Sequence, residues 1–124
     1  MLLLNPITCL AAAIYFESRG EIKINRLRVA QVILNRVESP KYPNTLCEVV
    51  KQKNQFTFYW DGKKEIVKET KAWKEAKDLA KESLEHGLQM ENTCHYAQKE
   101  IVNKWTVTMQ KEVHGKHAFY KGGC

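Results

Sequence analysis

Asn5-Pro-Ile-Thr-Cys-Leu-Ala-Ala-Ala-Ile-Tyr-Phe-Glu-Ser-Arg-Gly20 combines helix punctuation with one charge in an apolar position. Asn5-Pro6 is a helix-start signature, a capping side chain followed by a proline whose missing N–H costs nothing there. The alanine-rich run predicts a helix through Thr8–Ser18, stopped at Arg19-Gly20. On a helical wheel Leu10, Ala13, Ile14 and Glu17 fall at i, i+3, i+4 and i+7, so Glu17 takes the next slot on the inward face. A carboxylate where leucine is expected is favoured in its neutral form by burial. That form can give a proton to a departing sugar oxygen. The competing reading is a glutamate at a frayed helix end, solvated or paired with Arg19.

A second helix is predicted over Asn25–Val37, with Leu27, Ala30, Ile33, Leu34 and Val37 at helical spacing and Ser39-Pro40 as its end. A short helical turn follows in Asn44–Val50. Gln55-Phe-Thr-Phe-Tyr-Trp60 is aromatic and β-prone, Asp61-Gly62 is a strong hairpin-turn signal, and Glu65-Ile-Val67 suits a returning strand. Thr70 opens a third long helix with Trp73, Ala76, Ala80 and Leu84 on one stripe, closed by Gly87. The tail from Thr93 to Tyr120 alternates through Val107, Met109 and Val113, with a turn at His114-Gly115-Lys116. Helices leading into short strands predict an α+β fold.

The chain has 124 residues, which fits one domain over 1–124. Hydrophobic residues make up 44% and charged residues 27%, enough apolar surface to offset ordering and to exclude general disorder. Twenty Lys+Arg against fourteen Asp+Glu leaves +6, which favours an anionic partner without choosing one. Nucleic acid is not the expected partner: Lys71, Lys74, Lys77 and Lys81 are interrupted by Glu69, Glu75, Asp78, Glu82 and Glu85. That mixture reads as a solvated face with i,i+4 ion pairs. Met1-Leu-Leu-Leu4 ends at Asn5-Pro6, too short for membrane insertion or a secretory signal, so synthesis in a cytoplasm is expected. Cys9, Cys47, Cys94 and Cys124 lack the spacing of a zinc site, and no His-Glu-x-x-His run occurs, so neither metal nor cofactor is expected. Without a secretory signal the cysteines read as free thiols, with two disulfides the alternative in an oxidising compartment. Gly122-Gly123-Cys124 reads as a loose end. A cysteine amidase built on Cys94 and His95 is disfavoured, because adjacent strand residues face opposite ways.

Cys9-Leu-Ala-Ala-Ala-Ile-Tyr-Phe-Glu-Ser-Arg-Gly-Glu21, followed by Val29-Ala-Gln-Val-Ile-Leu-Asn-Arg-Val37, resembles the cell wall hydrolase family that includes the spore cortex-lytic enzymes. The resemblance continues through Ser39-Pro40, Tyr42-Pro43, Cys47, Val49-Val50, Gln55-Phe-Thr-Phe58 and Asp61-Gly62. It resumes at His95-Tyr96, Trp105 and Gly115-Lys-His-Ala-Phe-Tyr120. The Glu-x-Arg-Gly-Glu and Asn-Arg-Val pairing is its specific part. Trp60 stands where some relatives have a cysteine, so Cys47 has no disulfide partner at that position.

The resemblance implies a compact, mainly helical lysozyme-like domain with a small β lobe, cutting the β-1,4 MurNAc–GlcNAc bond of peptidoglycan. Glu17 would be the acid, and a lytic transglycosylase would need that single carboxylate to make 1,6-anhydro-MurNAc ends. A simple hydrolase would need a second carboxylate, from Glu21 or Asp61; Glu21 could instead pair with Arg19 or Arg36, and Asp61 could simply serve the turn. Gln55 and Phe56 suit a sugar-binding loop, though Phe56 and Phe58 also suit strand packing. His95, Tyr96 and Tyr120 are the remaining substrate-binding candidates; His117 and Tyr120 are equally explained as packing. A free-standing basic domain of this kind looks like a phage lysin, a monomer released to the bacterial wall by a holin. A non-catalytic wall-binding protein is the other alternative.

Overall fold

The computed structural model describes residues 5–52, 70–101 and 109–124. Their order is α1 (Pro6–Ser18), α2 (Lys23–Glu38), α3 (Leu46–Lys51), α4 (Thr70–Glu85), β1 (His95–Gln98), β2 (Gln110–His114) and β3 (His117–Lys121). The α+β expectation holds, with each long helix starting or ending within two residues of its predicted bounds. The predicted strands and turn over Gln55–Val67, with Gln55, Phe56 and Asp61, lie outside the described residues, as does Val107.

Helix α1 starts as its sequence dictates: the Asn5 side chain accepts from the Thr8 N–H at 2.8 Å, and Pro6 occupies the first turn. Its burial differs from the predicted one-sided stripe. Every residue from Cys9 to Tyr15 is buried, because α2, α3 and α4 all pack against it. A helix enclosed on all sides needs no polar face, and Ala11, Ala12 and Ala13 keep it thin enough for close neighbours. Glu17 is half-buried near the end of this helix, so it is not simply one more position of a core stripe.

In α4 the buried stripe is Ala76, Leu79, Ala80 and Ser83, while Leu84, expected inside, is 43% exposed. Two α4 carboxylates reach across to α2 rather than along their own helix: Glu82 meets Lys23 at 3.1 Å and Glu75 meets Arg26 at 3.5 Å.

The three strands form an antiparallel sheet in the order β1-β3-β2. His114 and His117 are cross-strand partners around Gly115-Lys116, as the turn signal predicts. Gly115 has φ +60°, and a Cβ there would run into the Glu21 carboxylate and the Asn25 amide. Gly115→Ala is expected to cost about 2 kcal/mol or more, from the left-handed backbone and the crowding together. Urea unfolding would read this as a lower midpoint at unchanged slope.

The four cysteines are paired, contrary to the free-thiol expectation. Cys9–Cys47 ties α1 to α3, and Cys94–Cys124 ties the start of β1 to the chain's end, with Cα separations of 5.3 Å and 5.4 Å. The terminal Gly122-Gly123-Cys124 is therefore anchored rather than loose. The Ser39 hydroxyl also donates to the Cys124 carbonyl at 2.7 Å, and Gly122 forms a bridge with Thr93. Sequence spacing could not reveal these pairs, because each one is made by the folding of distant elements.

Candidate active site

Glu17 is the penultimate residue of α1, and three local features hold the helix end. The Ser18 hydroxyl donates back to the Ile14 carbonyl at 2.8 Å. Arg19 lies over the Tyr15 ring, 4.8 Å from its centroid, and donates to the Tyr15 hydroxyl at 2.7 Å. Gly20, at φ +91°, then reverses the chain with a conformation that suits glycine.

Across from this helix end stands β1, where the Tyr96 hydroxyl donates a hydrogen bond to Glu17 Oε1. What brings β1 there is the Asn35-Arg36 pair of α2. The Asn35 amide donates to the Met90 and Thr93 carbonyls at 2.7 Å and 2.8 Å. The Arg36 Nε donates to the Cys94 carbonyl at 2.7 Å, and its guanidinium lies 5.1 Å from the Tyr42 ring centroid. The Asn-Arg motif noted in the sequence thus clamps the segment that delivers Tyr96. It supplies donors to the Thr93 and Cys94 carbonyls of buried residues and a second donor to that of Met90.

Glu21 takes neither expected partner, since Arg19 is committed to Tyr15 and Arg36 to Cys94. Its Oε1 accepts the Lys116 N–H at 2.7 Å at the β2–β3 turn and lies 3.6 Å from His117 Nδ1. The two side chains are 11% and 8% exposed, so this contact is shielded from water. The reason is topological: the Gly20 bend turns Glu21 toward a hairpin that arrives some ninety residues later in the chain.

The strand register separates the remaining candidates. His95 pairs with Tyr120 and Tyr96 with Phe119, and directly opposed residues share a face. Tyr96, His117 and Phe119 therefore occupy the face that carries the contact to Glu17, whereas His95 and Tyr120 occupy the other. Tyr120 is 2% exposed; His95 lies beside Tyr42 at 6.4 Å between ring centroids, with Gly123 close against it. His117, part of the family-like ending and equally well explained as packing from sequence, joins the Tyr96 group with its ring edge to face at 5.5 Å. The signal for it was present in the two-residue turn, but its alignment with Tyr96 depends on how β1 pairs with β3. Among the described residues no three His, Cys, Asp or Glu side chains gather in a way that could hold a metal ion.

The chain resembles two solved structures. The catalytic domain of the germination-specific lytic transglycosylase SleB from Bacillus anthracis is 32% identical with a TM-score of 0.75, covering 97% of each chain. The crystal structure of the Bacillus cereus SleB catalytic domain is 33% identical with a TM-score of 0.71, covering 94% of this chain and 89% of that one. Among curated sequences, the spore cortex-lytic enzyme of Bacillus cereus is 34% identical over 120 residues, covering 94% of this chain and 44% of the relative. That of Oceanobacillus iheyensis is 32% identical over 124 residues, covering 94% and 42%. The chain thus spans under half the length of these full-length relatives. The sequence pattern described as Cell Wall Hydrolase matches residues 20–120, a span that holds Glu21, Tyr96 and His117 and starts just after Glu17. With the pattern covering most of its length and the fold matched over nearly all of it, the chain belongs to the cell wall hydrolase family.

Proposed function

We propose that this domain degrades peptidoglycan by cleaving the β-1,4 MurNAc–GlcNAc bond as a lytic transglycosylase, with Glu17 as general acid and then general base. The observation that carries this reading is the half-buried Glu17 at the end of α1, with one carboxyl oxygen held by the Tyr96 hydroxyl. An acid that must donate and then recover a proton benefits from fixed geometry.

In the first step the Glu17 proton passes to the glycosidic oxygen as the bond from that oxygen to C1 of MurNAc breaks, and GlcNAc leaves with a free 4-hydroxyl. In the second, the Glu17 carboxylate takes the proton of the same MurNAc's 6-hydroxyl while that oxygen bonds to C1. The 1,6-anhydro ring closes, Glu17 regains its proton, and no water enters. This route needs one carboxylate. The engagement of Glu21 with the Lys116 N–H supports it over a hydrolase in which Glu21 would be nucleophile or base. The name of the Bacillus anthracis relative, a lytic transglycosylase, points the same way. The net charge of +6 suits a wall polymer bearing peptide carboxylates.

Mass spectrometry of soluble fragments from purified peptidoglycan tests the reaction type. Anhydro-muropeptides are the expected products. Reducing-end fragments, one water heavier, would replace this route with hydrolysis and require a second carboxylate. The absence of any fragment would favour the non-catalytic wall-binding alternative.

A further inference from the structure

Behind Tyr96 lies a pair of side chains that the chemistry above does not use. Glu21 is a largely buried carboxylate, and such a group stays buried when hydrogen bonds or opposite charge compensate its lost hydration. The Lys116 N–H supplies one hydrogen bond at 2.7 Å. Among the described residues, His117 Nδ1 faces it at 3.6 Å, a buried nitrogen with no hydrogen-bond partner. In the tautomer with the proton on Nδ1, the ring dipole points at the carboxylate.

The His117 ring in turn meets Tyr96 edge to face, with an interplanar angle of 79° and 5.5 Å between centroids. Phe119 flanks both rings, 6.1 Å from each. Rotation of the Tyr96 ring about its side-chain bonds would therefore have to displace His117 or Phe119. His117 cannot yield freely while its own strand is tied by the Lys116 N–H to Glu21. These contacts run from Glu21 through the hairpin tip to His117, then to Tyr96 and Glu17.

We propose that Glu21 and His117 are a positioning pair that holds the Tyr96 hydroxyl on Glu17. This inference rests on the reading of Glu17 as the acid. Neither side chain touches substrate; both act by restricting where the Glu17 carboxyl sits. Glu21 is then not the second catalytic carboxylate, although it stands only four residues from the first. The preference of an acid catalyst for one geometry is steep, since misplacement by about 1 Å can cost on the order of a hundredfold in rate.

The test compares Glu21→Gln, which keeps the acceptor for Lys116 but removes the charge, with His117→Phe, which keeps a ring against Tyr96 but removes the nitrogen. Each is measured in the full chain for soluble muropeptide release, with rates normalised to folded protein from its own thermal midpoint. The expected result is a fall in kcat of roughly 10- to 100-fold with KM within about twofold of wild type. Adding either change to Tyr96→Phe should bring little further loss, because all act through one hydrogen bond. A variant that only melts earlier, with normal kcat per folded molecule, overturns the proposal. Losses that multiply with that of Tyr96→Phe also overturn it, since they would mean independent action. Glu17→Gln is run alongside. If it is inactive while both pair variants run at full speed, the positioning proposal fails alone. If Glu17→Gln is active, the reading of Glu17 fails and the proposal falls with it.

Discussion

Glu17→Gln is expected to lower muropeptide release by about a thousandfold, within the range that a general acid–base group contributes. The amide keeps the shape of the carboxyl, and its carbonyl oxygen can still accept from Tyr96, so the fold and the end of α1 should stand. What it lacks is a proton that it can give to the glycosidic oxygen and take back from the 6-hydroxyl. The thermal midpoint should therefore stay within a few degrees of wild type, while release of anhydro-muropeptides from purified peptidoglycan nearly vanishes. Retained activity in the variant would move the catalytic proton elsewhere and leave the Tyr96 contact without a chemical purpose. Binding to insoluble peptidoglycan should persist, because the change adds no bulk and removes no cation.

Removing the disulfides should have the largest effect on stability. Cys9–Cys47 closes a separation of 38 residues and Cys94–Cys124 one of 30, and the two loops do not overlap. The chain-entropy account assigns about 4 kcal/mol to each loop of this size. A domain of this length is held by about 5–15 kcal/mol in total, so losing both bridges removes much of its margin. Cys9→Ala with Cys47→Ala is expected to lower the midpoint by roughly 15 °C, and Cys94→Ala with Cys124→Ala by a similar amount. The second pair should also reduce activity at temperatures where the protein is still folded, because Cys94 immediately precedes the strand that carries Tyr96. Thiol titration of the unfolded, unreduced protein should find no free thiol; four would refute both pairings. Formation of these bonds calls for an oxidising compartment, which suits work at the wall and sets a condition on the expected cytoplasmic synthesis.

Much of the helical architecture was legible because its signals are local. Asn5-Pro6 caps and starts α1 and Ser39-Pro40 stops α2, each through chemistry within a turn of the residue concerned. The β2–β3 turn was equally readable, since Gly115 supplies a backbone conformation that its neighbours would resist. Helical periodicity was less informative about burial. It finds one apolar stripe, but α1 is enclosed by three other helices and buries its whole circumference from Cys9 to Tyr15. Leu84 shows the reverse case, an apolar side chain at the right spacing that stays 43% exposed near the end of α4.

Site candidates divided according to sequence separation. Tyr96 and His95 are neighbours in one motif, yet alternation along a strand sends them to opposite faces, and the partner of each depends on the β1–β3 register. For Glu21 the sequence offers Arg19 and Arg36 as partners, while its contacts, Lys116 and His117, come from the far end of the chain. The Asn35-Arg36 motif was visible as a pattern, but its work on the Met90, Thr93 and Cys94 carbonyls was not.

By itself the sequence determined the long helices, the β2–β3 turn and the α+β class, together with Glu17 as a carboxylate at the end of an apolar helix. Those features depend on caps, breakers and spacing that act over a few residues. Only the tertiary structure decided that the cysteines pair, that Tyr96 meets Glu17, and that Glu21 faces His117 instead of an arginine. Each of those contacts joins residues 30 to 96 positions apart. Local rules do not reach that far, because such partners are chosen when packed helices and strand register bring distant segments together.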